Sequence, residues 1–147
     1  MPTRAHLIIA GLEAAIGEIT PDAKAHTSDV FSRMDAPDDG ELFQRDRAFV
    51  IFPVGVAEVD DTFIGGSTPH HAAFTLQISV GYARTAYVTD RILQDSERII
   101  EAVEKYRTQN SNNIVSLDSV GNDIAPFETG LVIELTFRAV YALDLST

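Results

Sequence analysis

The sequence contains no cysteine and no tryptophan, and only 11 of its 147 residues are Lys or Arg. Without thiols there can be no disulfide framework, no thiolate zinc or iron–sulfur centre, and no cysteine nucleophile. No apolar run approaches the ~20 residues needed to cross a bilayer, so no membrane partner is expected. The opening Met1-Pro2-Thr3-Arg4 leads straight into an amphipathic segment, unlike the plan of a secretory leader. The expectation is a soluble protein made inside the cell. Against the few cations stand 22 acidic residues, giving a net charge of −11 and a pI near 4.6. Affinity for nucleic acid comes from Lys and Arg displacing counterions, so tight DNA binding is not expected. DNA could still pass such a surface without adhering to it.

What is present is ordinary for a folded unit: 45% hydrophobic and 22% charged residues. A chain of this length buries enough apolar surface to need no staple, and it reads as one domain over residues 1–147. No internal repeat, low-complexity stretch or linker interrupts it.

Periodicity supplies the elements. Thr3 can cap a helix running to about Ile19, with Ile8, Leu12, Ala15, Ile16 and Ile19 on one stripe. Gly11 and Gly17 weaken that helix, so packing must hold it. A short strand is expected near Asp29–Met34 and a turn at Pro37-Asp38-Asp39-Gly40. Ala48–Val59 reads as a strand, and Pro53 requires it to lie at an edge or to bulge there. From His71 onward Phe74, Leu76, Ile78, Val80 and Tyr82 alternate with Thr75, Gln77, Ser79 and Gly81. A second helix runs from Thr89 to about Arg107, with Ile92, Leu93, Ser96, Ile99, Ile100, Val103 and Tyr106 inward and Glu101–Lys105 paired outside. After a break at Gln109–Asn113 come a short strand at Ile114–Leu117 and a loop closed by Asp123 to Pro126. The strongest strand is the last, Leu131–Leu143. The fold class expected is α+β: a mainly antiparallel sheet with two helices packed on it.

Candidate chemistry is sparse. His70-His71 near Asp60-Asp61 suggests a metal set, but adjacent strand residues point to opposite faces, so a polar loop at the start of a strand is the plainer account. Gly65-Gly66-Ser67-Thr68 lacks the Lys and following helix of a phosphate cradle and reads as a hairpin tip. No G-x-S-x-G elbow is present. His6 and His26 stand alone. No catalytic, metal or cofactor-binding residue is assigned, and no enzyme activity or cofactor is expected. Two other features suggest contacts. Glu134 and Arg138 share one face of the last strand, either as a solvent-facing row or as part of a face that meets another subunit. Phe63 and Ile64 form an apolar pair on a glycine-flanked loop, which either folds back over its own core or docks on a partner.

The order of elements completes the reading. The helix His6–Leu12 is followed by a long irregular stretch and a hairpin ending in Phe74–Val80, then the helix Asp95–Tyr106 and the closing strand Gly130–Leu143. Over nearly the whole chain this layout resembles the tail-terminator, or tail-completion, proteins of long-tailed bacteriophages, the lambda-type minor tail proteins. The resemblance implies a structural virion protein that forms a homo-oligomeric, hexameric ring. Such a ring caps the tail tube, touches both the tube protein and the head-side connector, and lets DNA through without binding it. The place implied is the tail or neck of the virion. A head–tail connector, a related component of a gene-transfer particle or injection device, and a small α+β ligand-binding or enzymatic domain are the alternatives.

Overall fold

The computed structural model describes residues 4–20, 31–34, 47–55, 58–59, 71–83, 88–111, 113–126 and 130–142. Two helices pack on one face of a mixed, mostly antiparallel sheet, giving the α+β fold expected. In chain order the elements are α1 (Arg4–Gly17), β1 (Ser32–Arg33), β2 (Ala48–Pro53), β3 (Glu58–Val59), β4 (His71–Ala83), α2 (Val88–Gln109), β5 (Ile114–Pro126) and β6 (Gly130–Ala142). The strands lie in the order β1-β2-β4-β6-β5, with β3 also pairing β4. Among the described strands, only the β1–β2 contact is parallel.

The alternation along β4 and β6 decides which face is covered. Phe74, Leu76, Ile78, Val80 and Tyr82 on β4 lie beside Ala139, Phe137, Leu135, Ile133 and Leu131 on β6. All but Leu131 are buried, and with Phe49 and Ile51 of β2 they form the floor on which the helices sit. Helix α1 contributes Ile8, Leu12 and Ile16, and α2 contributes Ile92, Ile99 and Val103. The two helices come close at Gly11, where an added Cβ would collide with the hydroxyl end of the Tyr106 ring. Tyr106 in turn donates its hydroxyl to the Leu7 carbonyl at 3.4 Å. Glycine at position 11 is therefore a packing requirement, although it costs helix propensity.

Pro53 ends β2 on the side where β1 no longer runs alongside, so its missing N–H interrupts no ladder. The expected strand through Val59 is thus split: β2 stops at Pro53, bends follow at Val54 and Gly55, and β3 is described over Glu58–Val59. The first helix ends at Gly17, two residues short of Ile19. Asn110 closes α2 by donating its side-chain amide to the Tyr106 carbonyl at 2.8 Å, and Arg4 reaches across to the Asn113 side chain.

Two expectations are corrected. Leu93 and Ile100 do not face the core but lie exposed on the flank of α2 turned away from α1. Their inward places are taken by Arg91 and Asp95, both buried. The outer ion pairs also differ: Glu101 pairs with Arg98 at 3.0 Å and Glu104 with Arg107 at 2.5 Å. The second correction concerns β5, which does not stop at Leu117. It pairs with β6 along its full 13 residues, interrupted by register shifts at Val115 and Val120. Beyond Leu117 most of its side chains are exposed on both faces, so no hydrophobic alternation marks it as a strand. The last strand is described over Gly130–Ala142, beginning one residue earlier than expected, and at ~3.3 Å per residue spans ~43 Å; Leu143 lies outside the described residues.

Candidate functional site

The sheet face opposite the helices carries the two charged residues singled out from the sequence. Both are half-buried on β6. Arg138 lies between Thr75 of β4 and Asp118 of β5, whereas Glu134 lies between Ser79 and Asp123. The first arrangement sets opposite charges side by side across the ladder, which is favourable; the second sets two acids side by side, which is not. Gln77, Thr136 and Gly121 occupy the row between them. This face is a polar stripe, tilted toward negative charge at the β5 edge. Phe63 and Ile64 lie outside the described residues, as do His26, Asp60, Asp61, the Gly65–Thr68 run and His70. His71 opens β4 beside Ala142, and His6 is exposed on α1. Among the described residues no group of three or more His, Asp or Glu is placed to hold a metal ion, and no helix is long and apolar enough to cross a membrane.

The strongest polar constellation was not legible as such in the sequence. Arg47, Tyr82 and Asp95 come together in the core, all completely excluded from solvent. Arg47 grips the Asp95 carboxylate with two bonds, Nε to Oδ2 at 2.7 Å and Nη2 to Oδ1 at 3.0 Å. The Tyr82 hydroxyl donates to Oδ2 at 2.7 Å. The guanidinium also lies over the Phe31 ring, 5.7 Å from its centroid. Burial first, and then the Asp95 charge, push the Tyr82 phenol well above its ordinary range. Arg47 itself holds a left-handed backbone conformation, with φ of 62°. Its N–H bonds the Gly81 carbonyl and its carbonyl accepts from Ser32, each at 2.9 Å. One residue thus ties β1, β2, β4 and α2 together. No substrate can reach a group so enclosed, so this network locks the fold and does no chemistry. A signal for it was present: Asp95 stands at stripe spacing from Ile92, Ile99 and Val103, and an acid there demands a buried cation.

Two solvent-facing features remain. A hollow of about 430 Å³ lies between the C-terminal halves of α1 and α2, floored by Ala15, Ile19 and Ala102 and rimmed by Glu18, Arg98 and Lys105. The other feature is the outer half of β5. Residues 119–124 are held by main-chain pairing to β6, yet neither helix covers them. Val120 is 56% and Ile124 52% exposed there. A 13-residue edge strand presents main-chain groups that can pair with another chain; its two bulges interrupt that edge.

No known family model matches the chain, and no curated protein matches it in sequence.

Proposed function

We propose that this protein is a tail terminator: a non-enzymatic virion component that assembles into a hexameric ring on the end of a phage tail tube. It works by fitting against copies of itself, against the tube protein and against the head-side connector. The observation that carries this reading is the uncovered half of β5. A strand extended by main-chain pairing beyond its own core, bearing Val120 and Ile124 in water, suits a subunit whose packing is completed by neighbours. The order of elements, helix, strands, helix and closing hairpin, agrees with the layout that first suggested the family. A ring protomer needs two different, mutually complementary surfaces, so that a rotation closes the assembly. A sheet with unlike edges, β1 at one end and β5 at the other, supplies that asymmetry. The net charge of −11 suits a channel through which DNA slides without adhering.

The test is functional. Purified protein added to polymerising tube subunits is expected to shorten the tubes and to decorate one end, as seen by gold labelling in negative-stain images. Tubes of unchanged length with bare ends would refute the reading.

A further inference from the structure

No further inference is drawn: the strongest candidate, the hollow between α1 and α2 with Arg98 and Lys105 on its rim, carries Glu18 and Glu101 on the same rim, so its charges balance and nothing in the structure shows what would occupy it.

Discussion

Replacing Asp95 by Ala should be among the most damaging single changes in the protein, although the residue lies nowhere near a site of chemistry. The substitution leaves the Arg47 guanidinium in the core without the carboxylate that accepts two of its bonds, and the Tyr82 hydroxyl without its acceptor. Both groups are completely buried, so water cannot take over. Breaking a buried pair by removing one partner costs ~3–5 kcal/mol, because the surviving charge stays desolvated. Against a typical total of ~5–15 kcal/mol, that is about a fifth or more of the folding free energy. At ~2–4 °C per kcal/mol for a domain of this size, the thermal midpoint should fall by ~6–20 °C. Equilibrium urea denaturation at fixed protein concentration measures the loss directly through the midpoint at unchanged slope. The double variant Arg47→Met/Asp95→Leu is the companion experiment. Removing both charges leaves only the neutral Tyr82 hydroxyl without its partner, so the double variant should recover most of the loss. A loss below ~1 kcal/mol in Asp95→Ala, or a double variant no better than the single, would refute the claim that this triad locks the core.

Two further outcomes follow from the same packing. Folding holds the Tyr82 phenol proton, since its pKa is raised in the folded state, chiefly by burial. Its contribution is intact below an unfolded value of ~10 and is lost as pH rises from there toward the folded value. In Tyr82→Phe the alkaline fall in stability above about pH 10 should be shallower by one proton, ~1.4 kcal/mol per pH unit, in denaturation series at pH 9–12; an unchanged slope would contradict it. Gly11→Ala should destabilise by ~1–3 kcal/mol through the collision with Tyr106, although helix propensity alone favours Ala by ~1 kcal/mol. A rise in thermal midpoint would show that the helices can separate at no cost.

The parts of the fold written in period were legible. The alternation from Phe74 to Tyr82 and from Leu131 to Tyr141 gives the two central strands and their inward faces, because both lie under the helices along most of their length. Helix α1 was likewise readable from Ile8, Leu12 and Ile16. What was not legible depends on partners distant in sequence. The inward face of α2 is set by Asp95, which is satisfied by Arg47, 48 residues earlier; counting apolar letters alone turned the helix toward Leu93 and Ile100. The outer half of β5 has no period to read, since its register comes from main-chain bonds to β6 and its side chains meet water on both faces. For the candidate site, the shared face of Glu134 and Arg138 was readable from their spacing of four along a strand. Their acidic neighbours Asp118 and Asp123 were not, because that stretch read as a loop. The failures share a cause: residues that look misplaced within one protomer, Leu93, Ile100 and Ile124, are exposed where the sequence alone suggested burial or a loop.

Self-assembly is the premise beneath the functional proposal, and light scattering coupled to size exclusion, with negative-stain imaging of the same peak, measures it most directly. The mass expected is about six times 16.0 kDa, in closed rings with an open centre. A single 16.0 kDa species persisting at millimolar concentration, with no annular particles on the grid, would contradict it.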